Sequence, residues 1–139
     1  KKVAMKSVIR AVKSRIIQIQ DHPPGSNLGI GYGAQIFNEK SLRTAVIPIG
    51  FSDGLNHAPP LGEVLVAGQR VPVLGRRSIE FSLLDVSLVK EAGIGAEVVI
   101  LGSQGDDEIS PSEIASVLGV PMIELLPRLA HNLHRQYFA

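Results

Sequence analysis

A tyrosine between two glycines, Gly31–Tyr32–Gly33, has the clearest capacity for chemistry in this sequence. The glycines allow a ligand or another backbone to approach closely, and a phenol held there can carry a proton. A free tyrosine has a pKa of about 10, so a catalytic tyrosine needs positive charge nearby. His57, Arg76, Arg77 or another chain could supply that charge. The alternative is a bulged strand with a half-buried aromatic side chain, and the tyrosine alone does not decide between the two.

A second group of candidates follows the predicted strand over residues 71–74. Arg76 and Arg77 could hold a carboxylate or a phosphate. Adjacent arginines are also typical of a solvated edge with one ion pair, here to Glu80 or Asp85. The acidic residues 106–108 lack the ligand spacing of a calcium loop, and the four histidines lack metal-ligand spacing. These residues by themselves leave the function open.

The composition excludes several classes of protein. The 139 residues include no cysteine, which excludes disulfides, thiolate nucleophiles and cysteine-based zinc sites. A net charge of +1 and 4% aromatic residues argue against a nucleic-acid-binding barrel, and against attraction to a membrane surface. The chain also has no apolar run of about 20 residues. We therefore expect a cytoplasmic protein with no nucleic-acid or membrane partner, and one domain over residues 1–139.

The elements that must position these residues are predominantly strands. Short runs rich in valine and isoleucine alternate with glycine and proline, with turns at 22–26 and 67–70. The segment 8–20 alternates roughly between apolar and polar residues, and further strands are predicted at 44–49, 63–66, 71–74, 83–87 and 97–101. This pattern predicts a mainly β fold, a small β-barrel or sandwich with one or two short helices near the C-terminus.

Both helices are predicted from the last third of the sequence. Ser110 and Glu113 have the spacing of a capping box with Pro111 at the first helical position, and Gly119 ends the helix. Apolar residues at helical spacing predict a second helix over 122–133. Pro127 lies inside it, so we expect a break near Leu126 or a helix that begins at the proline.

Taken together, the motifs resemble the C-terminal β-domain of alanine racemase, a fold-type III family that uses pyridoxal phosphate. The similarity covers nearly the whole chain and depends on the set of motifs rather than on any one. In order, the matching segments are 13–16, the Tyr32 motif, 47–54, 63–66, 71–76, 85–86, 95–99, 102–105, 108–110 and 113–115.

The resemblance implies a function and a separate role for each of the family's two domains. The family's N-terminal α/β barrel, absent from this chain, holds the cofactor on a lysine, and the β-domain packs across the barrel of the other subunit in a homodimer. Tyr32 would be one of two bases acting on opposite faces of a small amino-acid substrate, giving the D-alanine used in peptidoglycan precursors. The backbone N–H of Ile79 would meet the substrate carboxylate. We expect this chain alone to bind no pyridoxal phosphate and to be inactive.

Four positions depart from the family pattern and keep a second hypothesis open. Phe51 stands where a tyrosine usually lines the substrate entrance, and Arg77 replaces a small apolar residue. Asn132 and His134 replace an arginine and a proline. His131 matches a position that contacts the cofactor phosphate in some members, and its imidazole could donate to phosphate. The alternative is a diverged domain, with another substrate or no activity, that acts as a dimerisation or interaction module.

Overall fold

The computed structural model describes residues 9–29, 35–37, 39–129 and 132–138. Within these ranges the chain forms a mainly β fold, as predicted, with two short α-helices near its C-terminal end. The strands are β1 (Val12–Arg15), β2 (Gln18–His22), β3 (Asn27–Gly29), β4 (Gln35–Phe37), β5 (Leu42–Ile47), β6 (Glu63–Val66), β7 (Gln69–Leu74), β8 (Ser82–Asp85), β9 (Glu97–Gln104) and β10 (Asp107–Ile109). The helices are α1 (Pro111–Leu118) and α2 (Leu125–Leu129).

The main sheet is antiparallel and curls until its two edges meet. Its strand order is β1-β9-β6-β7-β8-β5-β2, with β10 also paired to β9, and β3 pairs with β4 in a separate hairpin. The edge strands β1 and β2 are consecutive in the chain. At the bend between them the Ile16 N–H donates to Ala96 (3.0 Å) and the Ile17 N–H donates to Val46 (2.9 Å). The bend therefore joins the two edges of the sheet into a small barrel.

The predicted continuous strand over 8–20 is thus two strands with a bend at residues 16 and 17. Other strand predictions are accurate to within one to three residues, and the 63–66 strand has the predicted bounds. The barrel interior holds apolar side chains that alternate along the strands, among them Ile47, Val64, Val73, Leu84 and Val98, all buried. Burial of this apolar surface is the main contribution to the stability of the fold.

The predicted first helix is correct in both bounds, whereas its cap differs. The Ser110 hydroxyl accepts from the Glu113 N–H (3.2 Å), and Gly119 ends α1 with a left-handed φ of 68°. However, the Glu113 carboxylate does not complete a capping box, because it binds Arg70 of β7.

The second helix is much shorter than predicted. A 3₁₀ turn over Met122–Glu124 leads into α2, and residue 133 lies in a bend. Pro127 sits in the first turn of α2, where a missing N–H breaks no helical hydrogen bond. Neither predicted alternative is found: α2 begins at Leu125, directly after the 3₁₀ turn, and continues through Leu126 and Pro127.

Arg70 links three elements on the side of the barrel next to α1. Its guanidinium donates to Asp107 of β10 (Nε to Oδ2, 2.9 Å) and to Glu113 of α1, and it lies 3.7 Å from Glu63 of β6. The hydrogen bond from Arg70 lowers the pKa of the Asp107 carboxyl. These groups are partly exposed to solvent, so the cluster orients α1 more than it stabilises the fold.

Neither α-helix in the described ranges is long and apolar enough to cross a membrane.

Candidate functional site

The turn over residues 50–54 and the loop over residues 75–81 are hydrogen-bonded side by side. The Phe51 N–H donates to the Ser78 carbonyl (3.1 Å), and the Ser52 N–H donates to the Ile79 carbonyl (3.0 Å). The Ser52 hydroxyl donates to the same Ile79 oxygen (2.7 Å). Phe51 and Ile79, two predicted site residues from different parts of the sequence, therefore lie on neighbouring segments. Ser52 joins them, and no motif in the sequence pointed to that role.

Gly50 allows the 50–54 turn to approach the 75–81 loop. A Cβ atom on Gly50 would overlap the Ile79 carbonyl oxygen and would lie 2.5 Å from that of Ser78. The Gly50 backbone is extended (φ −137°), a conformation open to any residue, so the requirement for glycine is one of space. The Gly50 N–H donates to Asp53 (Oδ2, 2.8 Å), which fixes the start of the turn.

We expect Gly50→Ala to lower the free energy of unfolding by about 2–3 kcal/mol, because two backbone segments must separate. Gly93→Ala is the matched control, since a Cβ there would meet no atom within 4 Å. Its effect should stay within about 0.5 kcal/mol. Amide hydrogen exchange of β9 in the full-length protein measures the change in the free energy of unfolding for each variant. Equal effects of the two substitutions would contradict the close approach at Gly50.

Large apolar side chains are exposed on the 75–81 loop, beside the 50–54 turn. The Ile79 side chain is 51% exposed and that of Phe81 is 43% exposed. Phe51 is half-buried and packs edge-to-face on the His57 ring, with ring centroids 5.1 Å apart. Adjacent exposed apolar side chains of this size are typical of a surface that contacts another domain, a partner or a ligand.

The two backbone polar groups of Ile79 differ in their hydrogen bonding. Its carbonyl already accepts two hydrogen bonds from Ser52, whereas its N–H meets no acceptor among the described residues. A backbone N–H on an ordered loop is a suitable donor to a carboxylate. The loop geometry is thus compatible with the role predicted for Ile79.

Arg77 is buried, which contradicts the predicted solvated edge with an ion pair to Glu80 or Asp85. Its side chain is 3% exposed, while the neighbouring Arg76 is exposed. The guanidinium donates to Ser82 (Oγ, 3.0 Å) and to the carbonyls of Asn56 (3.0 Å) and Leu61 (3.1 Å).

The prediction failed because the acceptors of Arg77 are mainly backbone carbonyls, which every residue carries and no sequence motif marks. Burial lowers the pKa of Arg77 to about 10, so its guanidinium stays charged at neutral pH. Within the described ranges it forms no ion pair with a carboxylate.

The C-terminal segment holds the 50–54 turn from a second direction. Arg128 of α2 donates to the Gly54 carbonyl (Nε to O, 2.7 Å), and the Asn132 side-chain amide donates to the Ser52 carbonyl. Gly54 has a left-handed φ of 95°, and a Cβ there would overlap the Arg128 carbonyl oxygen. Asn132, one of the departures from the family pattern, therefore supports the turn that carries Phe51.

Two predicted site residues, Tyr32 and His131, lie outside the described residues, and their roles stay predictions. No group of three or more metal-ligating side chains occurs in the part of the chain that the structure describes. The described lysines, at positions 13, 40 and 90, all lie outside the 50–54 turn and the 75–81 loop.

Comparison with known proteins identifies a family match along almost the whole chain. Residues 9–137 match the family model described as alanine racemase, C-terminal domain. An alanine racemase of Desulfosudis oleivorans is 36% identical over 137 residues, which are 98% of this chain and 34% of the relative. The chain spans about a third of the length of the curated relatives that it matches.

Solved structures give the same result for the fold. The biosynthetic alanine racemase of Pseudomonas aeruginosa superposes with a TM-score of 0.78 at 28% identity, over 93% of this chain and 35% of that one. The alanine racemase of Bacillus anthracis with bound L-Ala-P superposes with a TM-score of 0.72 at 28% identity, over 86% and 30% of the two chains. The predicted resemblance and fold class are confirmed.

Proposed function

This chain belongs to the alanine racemase C-terminal domain family, and we propose that its full-length protein interconverts the L- and D-forms of alanine or another small amino acid. The observation that carries this proposal is the 75–81 loop, where the Ile79 N–H meets no described acceptor and borders an exposed apolar surface. The family resemblance predicts a donor to the substrate carboxylate at this place, and an N–H without a described acceptor supports that assignment.

The proposed cofactor is pyridoxal phosphate, held by the part of the protein outside this chain. No described lysine lies in the 50–54 turn or the 75–81 loop, so these segments offer no attachment point for it. When bound, pyridoxal phosphate withdraws electrons from the amino acid's Cα and makes its proton acidic. His131 is proposed to donate a hydrogen bond to the cofactor phosphate.

Each residue of this chain has a distinct proposed role. The Tyr32 hydroxyl takes or returns the Cα proton on one face of the substrate, while a base from outside this chain acts on the other face. The Ile79 N–H donates to the substrate carboxylate and so orients Cα between the two bases. Phe51 lines the entrance, where its ring excludes water without donating a hydrogen bond.

The proposed partners are the N-terminal barrel of the same protein and that of a second subunit. Exposed Ile79 and Phe81 and half-buried Phe51 form an apolar surface that such a barrel would cover. In this arrangement the domain contributes Tyr32 to the active site of the partner subunit.

The test is to incubate the full-length protein, loaded with pyridoxal phosphate, with L-alanine and separately with L-serine in heavy water. Loss of the α-proton NMR signal measures proton abstraction, and the D/L ratio measures inversion. We expect exchange accompanied by inversion with at least one of the two. This chain alone is the control and should show neither reaction.

A diverged interaction module is the second candidate, favoured by Phe51, which lacks the entrance hydroxyl, and by the buried cation of Arg77. Neither exchange nor inversion by the cofactor-loaded protein would support that candidate and contradict racemisation of these two amino acids. Exchange without inversion would instead mean that proton transfer fails on the Tyr32 side.

A further inference from the structure

Arg77 is a buried charged residue that has no role in the proposed chemistry. Burial of a charge in a protein interior is unfavourable unless hydrogen bonds or an opposite charge compensate for it. Arg77 is 3% exposed and has hydrogen bonds but no carboxylate partner within the described residues. A small apolar side chain at this position would avoid that desolvation entirely.

The hydrogen bonds of Arg77 join the segments that surround the site. Two guanidinium nitrogens donate to the carbonyls of Asn56 and Leu61, the two ends of the stretch that follows the 50–54 turn. The third donates to the Ser82 hydroxyl, which in turn donates to the Ile49 carbonyl (2.6 Å) just before that turn. One side chain thus holds both flanks of the turn against the start of β8.

The Arg77 backbone is fixed as firmly as its side chain. Its N–H donates to the His57 carbonyl (2.9 Å), and its carbonyl lies 2.8 Å from the His57 Nδ1. The His57 ring packs in turn on Phe51. Residue 77 is therefore anchored at both backbone and side chain, two positions before Ile79.

We propose that Arg77 is a positioning residue, which holds the 75–81 loop in the conformation that presents the Ile79 N–H to the substrate carboxylate. This inference rests on the proposed function of that N–H. Arg77 would not touch the substrate, because each of its three guanidinium nitrogens donates to an internal acceptor and the side chain is sealed from solvent. A donor that is already ordered binds its ligand without a further loss of loop entropy. A substitution of Arg77 should therefore weaken substrate binding.

Arg77→Lys in the cofactor-loaded full-length protein is the principal test. Lysine keeps the charge, although its single ammonium cannot match the planar fork that reaches three acceptors. We expect KM for the amino acid to rise about tenfold, which corresponds to about 1.4 kcal/mol of binding free energy. Turnover at saturation should change less than about threefold, since the proton-transfer groups are not altered.

Hydrogen exchange in the same protein supplies a readout that does not depend on activity. We expect faster exchange of the Phe51 and Ser52 amides, which bond to the 75–81 loop, with unchanged exchange in β6 and β9. Ser82→Ala, which removes one acceptor and leaves the charge, should shift KM and local exchange in the same direction by less. Arg15→Lys is the matched control, because Arg15 also donates to a backbone carbonyl, that of Gly95, and should change neither.

Two outcomes would overturn the positioning role. One is an unchanged KM and unchanged local exchange in Arg77→Lys. The other is exchange in Arg77→Lys that rises as much in β6 and β9 as at Phe51 and Ser52, with turnover and binding reduced together, because Arg77 would then have no specific effect on the 75–81 loop. If the full-length protein racemises neither amino acid, the proposed function fails, and the exchange of the Phe51 and Ser52 amides still decides whether Arg77 orders the loop.

Discussion

Replacement of Tyr32 by phenylalanine in the full-length protein is expected to lower racemisation about 10²- to 10⁴-fold in at least one direction. That range is the usual contribution of a positioned acid or base. Phenylalanine keeps the ring and removes only the hydroxyl that would carry the proton. The base on the opposite face remains, so α-proton exchange of one enantiomer in heavy water should continue without inversion. Initial rates from L- and D-alanine, followed by the D/L ratio, measure the loss in each direction.

The sequence itself provides the control for this experiment. Tyr137 is the other of the two tyrosines and is 84% exposed. Tyr137→Phe removes the same hydroxyl outside the proposed chemistry and should leave both rates within about twofold, as expected for an exposed surface substitution. Full activity of Tyr32→Phe in both directions would make Tyr32 a structural residue and would leave the second base unassigned.

The second large effect is expected from Arg77→Ala, which should lower the free energy of unfolding of this domain by about 3 kcal/mol. The substitution leaves a cavity and deprives the Asn56 and Leu61 carbonyls and the Ser82 hydroxyl of a donor. Release of a buried charge from its desolvated site offsets part of this loss. Amide hydrogen exchange in β6 and β9 of the full-length protein reports the change for this domain.

Arg76→Ala is the matched control, because Arg76 is the exposed neighbour with the same side chain. Its effect on stability should stay within about 0.5 kcal/mol. A similar loss in both variants would mean that the burial of Arg77 contributes little to the stability of the fold.

The effect of Arg77→Ala should not depend on pH between about 6 and 9. Burial lowers the pKa of Arg77 to about 10 in the folded protein from a higher value in the unfolded chain, so the group is protonated in both states up to about pH 9. Between these two values the unfolded state binds more protons, and the contribution of Arg77 to the free energy of unfolding rises with pH only there. A stability difference that changes between pH 6 and 9 would point to a different titrating group.

Much of the fold followed from local patterns along the chain. The start and end of α1 were predicted correctly because Ser110 and Gly119 act on backbone groups within a few residues of themselves. The bounds of β6 were predicted from a short apolar run between turns. The length of α2 was not predicted correctly. Helical spacing of apolar residues does not specify which of them remain in a helix once the chain packs against the barrel.

The candidate site was only partly predictable. Motifs identify single residues, whereas contacts between residues far apart in the sequence cannot be read from them. The family motifs predict Tyr32, Phe51, Ile79 and His131 as site residues without any knowledge of their contacts. The hydrogen bond from Ser52 to Ile79 joins residues 27 positions apart, and the hydrogen bond from Arg128 to Gly54 joins residues 74 positions apart. Interactions at such separations form only when the tertiary fold brings the segments together.

The sequence by itself determined the family, the mainly β class and the identity of the candidate base. The tertiary structure alone decided that Arg77 is buried and that the 50–54 turn and the 75–81 loop form one hydrogen-bonded unit. The physical reason is that the acceptors of these hydrogen bonds are mostly backbone carbonyls, which are present at every residue. Their positions in space, rather than side-chain types along the chain, determine whether an arginine faces solvent or holds a loop in place.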